Sequence, residues 1–330
     1  MPTAAVDAIW RQTDAELLAK LNSGILKPAD NKIRFYAPSF THYRSKHYCG
    51  ASREFPTVSV TGNSCSLNCR HCGGKVLETM HPAATPAELY GLAVRLKSAG
   101  AKGLLVSGGC LPDGSVPLGD FTATLARLKR ELGLTVFVHT GIVESETAMA
   151  LKSAGIDAAL IDVIGSDSTI KQTLNLCLTV KDYAESLRAL TKAGLAVVPH
   201  VIVGLDNGEL SGEAQALRLI AENAAPKAVV IIGFMPIRGT QMANVPPPSP
   251  LTIGRVAAAA RATFPATPLA LGCMRPKGTH RAETDVFALK AGVDAIAFPS
   301  DAAVEYAKSR GCRVEFSSYC CAQLCFDFCV

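Results

Sequence analysis

Ser153-Ala154-Gly155-Ile156-Asp157-Ala158-Ala159-Leu160-Ile161-Asp162-Val163 holds a helix ending and a buried strand side by side. Glycine after Ser-Ala is suited to the left-handed conformation that closes a helix, because it has no Cβ to clash. The apolar run behind it shows little polar alternation, as a strand covered on both faces does. The same junction recurs at Ser98-Ala99-Gly100, Lys192-Ala193-Gly194 and Lys290-Ala291-Gly292. Eight short runs rich in Val, Ile, Leu and Ala are expected as strands, over 56–61, 103–107, 134–139, 158–163, 196–203, 228–234, 268–272 and 294–298. Amphipathic stretches separate them. Thr85-Pro86-Ala87-Glu88 reads as a capping box with proline at the first helical position, opening a helix that runs to Gly100. Repetition of the helix–glycine–strand unit implies an α/β fold, a parallel (β/α)8 TIM-type barrel. A six-stranded core with two added units fits the same count, and an open doubly wound sheet is the alternative.

Outward from the repeat, three segments are expected: an N-terminal helical cover over 1–54, the barrel over 55–305, and a cysteine-rich tail over 306–330. The cover should hold one helix over 6–21. The chain has 330 residues, 48% hydrophobic and 18% charged, enough for a large core and against global disorder. Its net charge of +5 is spread along the sequence, with no basic run dense enough for nucleic acid. Asp7, Arg11, Asp14 and Glu16 interrupt any export signal, and no 18-residue apolar segment occurs, so a cytoplasmic protein without membrane attachment is expected. Twelve cysteines in such a chain point to metal or redox chemistry rather than disulfides.

Cys65-Ser66-Leu67-Asn68-Cys69-Arg70-His71-Cys72 directly follows the first strand. Chemistry in parallel barrels sits at the C-terminal ends of strands. Three thiolates on a four-iron cubane leave one iron open to a ligand. The alternative is a structural zinc site. Zinc wants four ligands, usually from paired Cys-x-x-Cys units; His71 is badly placed beside Cys72, and no other cysteine lies within fifteen residues.

This Cys-x3-Cys-x2-Cys spacing resembles that of the radical S-adenosylmethionine (SAM) superfamily. The resemblance implies a [4Fe–4S] cluster on Cys65, Cys69 and Cys72, with SAM on the open iron as the source of a 5′-deoxyadenosyl radical. Further marks are similar to the superfamily's. Ser107-Gly108-Gly109 ends the second strand where the family contacts the SAM amino group, with Cys110 in place of the usual acid. His71 stands at a position usually aromatic, beside the adenine. Ile202-Val203-Gly204 resembles the adenine-supporting segment, and Met235-Pro236-Ile237-Arg238-Gly239-Thr240 the Pro-x-x-Gly-Thr turn of biotin-synthase-like enzymes.

His139, Asp162 and His200 sit near the ends of apolar strands, where polar groups need a partner or ligand. They are candidates for SAM or substrate contacts, Asp162 chiefly for SAM, against the reading of satisfied interior groups. Arg238 and Arg275 are candidates to meet a substrate carboxylate, or SAM. In the tail, Cys320, Cys321, Cys325 and Cys329, with Cys273 from the seventh strand, are candidate ligands of a second [4Fe–4S] cluster, against the reading of a thiol tail without a role.

Along nearly its whole length the chain resembles the two-protein lipoyl synthases, a pair of radical SAM paralogues. The resemblance rests on Lys27-Pro28-Ala29-Asp30, Phe35-Tyr36-Ala37-Pro38-Ser39, His71-Cys72-Gly73-Gly74-Lys75, His139-Thr140-Gly141, Ile161-Asp162-Val163-Ile164-Gly165, Gly272-Cys273-Met274-Arg275-Pro276 and Cys320-Cys321. It implies sulfur insertion into an octanoyl chain on a lipoyl-carrier protein or peptide, with a paralogous partner and an electron donor such as ferredoxin or flavodoxin. One rival is a biotin-synthase-like enzyme of cofactor assembly, of hydrogenase-maturase type, that moves no sulfur. The other is an iron–sulfur electron carrier or scaffold.

Overall fold

Parallel strands cannot be joined by tight turns, so each needs a crossover, and the amphipathic stretches supply it. The computed structural model describes residues 2–28, 31–38, 41–50 and 53–327. Within them run eleven strands: β1 (Lys32–Tyr36), β2 (Thr57–Ser59), β3 (His81–Pro82), β4 (Gly103–Ser107), β5 (Thr135–His139), β6 (Ala158–Asp162), β7 (Val197–Val203), β8 (Val229–Gly233), β9 (Leu269–Leu271), β10 (Ala295–Ala297) and β11 (Arg313–Ser317). They form one sheet, every pair parallel, in the order β11-β1-β10-β9-β8-β7-β6-β5-β4-β2-β3. This is the expected α/β TIM-type core, curled and linear from β11 to β3. All eight expected strands are present, several trimmed at their ends.

The three additional strands lie outside the apolar repeat. β1 and β11 come from the segments read as cover and tail, and they pair with each other while β1 also pairs with β10. Both alternate charged and apolar residues, and Lys32 meets Glu315 across the pair at 2.9 Å. β11, at the sheet edge, keeps its charged face partly in solvent, whereas β1 between β10 and β11 is buried from Ile33 to Tyr36.

The pleat sorts side chains into two layers. Val136, Val138, Ala159, Ile161, Val201 and Ile231 face the surrounding helices. Phe137, Ala158, Leu160, Val198, Val230 and Ile232 face inward. The tail packs against this inner layer through Cys320, Cys321, Ala322, Leu324 and Cys325, and the Phe326 ring stacks on Phe137 with centroids 5.9 Å apart.

One expected helix is two. Pro2–Trp10 and Asp14–Ser23 are separated at Thr13, which caps the second. Its hydroxyl accepts from Glu16 N at 3.3 Å, while the Glu16 carboxylate accepts from Thr13 N at 2.7 Å. A capping box inside an apolar periodicity starts a new helix. The helix expected from Thr85 spans Pro86–Ser98 with its box intact, and Gly100, Gly155, Gly194 and Gly292 all have φ between +72° and +102°.

Candidate active site

The loop from β2 to β3 carries Cys65, Cys69 and Cys72 and is held from behind. Ser66 N donates to Cys110 O at 2.8 Å, and Arg70 N to Thr173 O at 2.9 Å. The Asn175 amide donates to the carbonyls of Leu67 and Asn68 at 3.1 and 2.9 Å. Beneath the loop lies Gly109. A Cβ there would stand 2.0 Å from Ser64 O and 2.6 Å from Cys65 Cβ, so this close approach requires glycine.

The Cys69 thiol donates to Leu174 O at 3.4 Å, and its closeness to Cys72 draws the Cys72 pKa down to about 6 against the opposing effect of burial. Cys69, as donor and in a buried place, is held well above the ordinary thiol range. Burial, reinforced by Cys65, pushes the nearby Cys110 up to about 12.

The spacing bears on which metal fits. Sulfurs sharing one tetrahedral zinc stand about 3.8 Å apart. Among the described residues, the only trio of ligand-type side chains with all ligand atoms within 4.8 Å of one another is His139, Asp162 and His200. Cys65, Cys69 and Cys72 are not joined there by a fourth ligand-type side chain, and a closed structural zinc site needs four.

These cysteines border a cavity of about 300 Å³ at the C-terminal ends of β4 to β8. Ser107, Gly108, Gly109, His139, Asp162 and Ile202 line it, as does His71. Two buried polar atoms there lack hydrogen-bond partners, His71 Nε2 and Asp162 Oδ1. Such orphans in a largely apolar wall are suited to a polar ligand such as a nucleotide. Burial lowers the pKa of His71, whose ring lies 5.3 Å from that of Phe234.

Register explains why three polar strand residues converge. Asp162 is paired with His200 across β6 and β7, and His139 with Leu160, two residues before Asp162. All three therefore occupy the inward face. His139 Nε2 stands 3.5 Å from Asp162 Oδ1, without hydrogen-bond geometry. Burial works to raise the Asp162 carboxyl, but His139, His200 and His71 together hold it below its ordinary value. Burial and the nearby His139 drop His200 to about 4, so its ring is neutral.

A second cavity, about 180 Å³, adjoins the first and shares His139, Asp162, Ile232 and Met274 with it. Cys273, Cys320 and Cys321 line it. Burial first, then Cys321, pushes the Cys273 thiol up to about 12. Cys321 is raised by its hydrogen bond to Cys320 and by burial. The tail and the end of β9 thus bring three thiols together from positions nearly fifty residues apart in sequence. Cys325 is buried in the inner layer but does not line this cavity. Cys329 lies outside the described residues.

Other expected residues stand elsewhere. Arg275 does not face a ligand. It is fully buried, donating to Asp285 Oδ1 at 2.7 Å, Gly272 O at 2.7 Å and Phe298 O at 3.2 Å. A guanidinium so engaged is a structural brace, which corrects its reading as a substrate or SAM contact. Arg238 is exposed on the turn after β8 and borders neither cavity. Gly204 borders neither as well; its N–H donates to Glu213 at 2.8 Å, and at φ +77° it packs beneath Pro248.

Sequence reading missed the wall built by Leu174, Leu176 and Tyr183. Leu174 and Leu176 lie in a stretch without helix or strand periodicity, and only Asn175, a residue tolerant of its left-handed φ of 58°, hints at a special turn.

The radical SAM superfamily profile matches residues 59–211. The biotin synthase of Zymomonas mobilis is 26% identical over 262 residues, covering 77% of this chain and 76% of that protein. The biotin synthase of Desulforudis audaxviator is 29% identical over 246 residues, covering 72% and 73%. Among solved structures, the FeFe-hydrogenase maturase HydG from Carboxydothermus hydrogenoformans superposes with a TM-score of 0.59 at 14% identity, covering 94% of this chain and 74% of that one. Methylornithine synthase (PylB) gives 0.56 at 16% identity, covering 95% and 97%. At these identities the structural likenesses concern the fold.

Proposed function

We propose that this chain is a radical SAM enzyme of the biotin-synthase-like kind that inserts sulfur into a protein-bound octanoyl chain together with a paralogous partner. It is a radical SAM enzyme, using a [4Fe–4S] cluster and SAM. The observation that carries the finer reading is the pair of thiol trios on adjoining cavities: Cys65, Cys69 and Cys72 on one, Cys273, Cys320 and Cys321 on the other. In this reading the first trio holds the SAM-binding cluster and the second holds an auxiliary cluster. Bound there, these groups would supply radical hydrogen abstraction at an unactivated carbon and a source of sulfur.

The chain's own residues do the rest. Ser107, Gly108, Gly109 and His71 border the space for SAM, with His71 Nε2 free to meet a polar atom. Ile202, Leu205 and Ile232 exclude water, which protects a radical and suits an alkyl chain. Because the cavities share a boundary, groups held by the two trios would lie close enough to meet one substrate chain. The paralogous partner, an octanoylated lipoyl-carrier protein or peptide, and a ferredoxin or flavodoxin complete the reading. A net charge of +5 favours docking of an acidic electron donor. Among the described residues no helix is long and apolar enough to cross a membrane, and the reading assigns the enzyme to the cytoplasm, where thiols stay reduced.

The deciding experiment incubates an octanoyl-lysyl peptide with reconstituted protein, SAM and reductant, with and without the partner, and reads peptide mass. A gain of about 32 daltons per sulfur is expected, and none with Cys69→Ala, which should also lose 5′-deoxyadenosine formation. Deoxyadenosine formed without sulfur gain on any octanoyl substrate would favour a cofactor-assembly enzyme. Electron transfer without SAM cleavage would favour a carrier.

A further inference from the structure

We propose that His139, Asp162 and His200 form a site for one divalent transition-metal ion, zinc or ferrous iron, distinct from both thiol trios. The site lies on the boundary between the two cavities, where all three side chains line the second and His139 and Asp162 line the first. Nothing in the sulfur-insertion reading requires it, and it stands or falls separately.

Four observations carry it. One ligand atom from each residue lies within 4.8 Å of the others, and no cysteine joins the set. His139 Nε2 and Asp162 Oδ1 are 3.5 Å apart. That is too long for a good hydrogen bond, but two donors at about 2.1 Å from one metal stand about 3.0–3.5 Å apart. Asp162 Oδ1 is buried without a hydrogen-bond partner, which is costly for a carboxylate oxygen unless something cationic meets it. His200 Nδ1 lies 3.0 Å from Val198 O, which sets Nδ1 as the donor and leaves Nε2 with a free lone pair. A backbone carbonyl behind a neutral imidazole is the usual support of a metal-ligating histidine.

Two imidazoles and one carboxylate, open on one side, form a donor set for iron(II) or zinc with room for an exogenous ligand. Here the open side faces the cavities. The rings of His139 on β5 and His200 on β7 stand 5.5 Å apart, with Asp162 on the intervening β6.

The test uses full-length protein with its iron–sulfur content reconstituted, dialysed anaerobically against zinc. One zinc per chain beyond the iron is expected, with only nitrogen and oxygen scatterers in its first shell by X-ray absorption. Asp162→Asn keeps the side chain's size and removes its charge; zinc affinity should fall at least about 100-fold while iron content and the urea midpoint hold. His139→Gln should act alike, and it decides the matter if Asp162→Asn disturbs folding. No additional zinc, sulfur in the zinc shell, or binding indifferent to both substitutions overturns the site. So does loss of iron in step with loss of zinc in folded variants, which would make these side chains cluster ligands instead.

Discussion

Arg275 carries a positive charge into the interior, and every partner it has there is protein. Its guanidinium braces the end of β9 against Asp285, whose other oxygen accepts from Ser300 N at 2.7 Å. Removing one member of such a pair strands the other. Arg275→Met should therefore cost about 3–5 kcal/mol of stability, read as a shifted denaturant midpoint in metal-free protein. The double variant Arg275→Met/Asp285→Leu should recover part of that loss, since a buried pair replaced by apolar groups leaves no stranded charge. Gly109 works at the same scale by absence. Lacking a Cβ, it admits Ser64 and Cys65 to within contact of its own backbone, and this sets the height of the cysteine loop over the cavity.

Among elements, the tail does most to complete the site. It leaves β11 at the sheet edge, turns inward, and packs Cys320, Cys321, Ala322, Leu324 and Cys325 against the inner layer. Tyr36 donates to Asp327 from inside the barrel, and Phe326 stacks on Phe137. Truncation after Ser318 should uncover this apolar face. The expected signs are a lower thermal midpoint and enhanced binding of a hydrophobic dye, with the helices largely retained by circular dichroism. An unchanged midpoint would mean that the tail contributes no packing.

For the whole molecule, the arrangement of two trios across one boundary makes a stoichiometric prediction. Anaerobically reconstituted protein should hold about eight irons, falling to about four in Cys320→Ala/Cys321→Ala, with SAM cleavage retained. If iron does not fall, the auxiliary cluster is withdrawn and the SAM site remains. The three cysteines of the first trio come from one loop, so their loss should act on the other half of the iron alone.

Strand positions and the first cysteine loop were legible in the sequence, because both are local. An apolar run with a glycine-capped helix before it makes a parallel strand whatever surrounds it, and thiols within eight residues on one loop cannot lie far apart in space. β1 and β11 were not legible, since their alternating pattern serves several structures and only neighbours decide which. The splitting of the first helix at Thr13 was written in Thr13 and Glu16 but masked by continuous periodicity. Arg275 looked like a ligand contact because the sequence does not show Asp285 waiting beneath it. Only the tertiary structure could put Cys273 beside Cys320 and Cys321, or bring His139, Asp162 and His200 to one height. Each of those encounters depends on the register and curl of a sheet whose strands meet from distant parts of the chain.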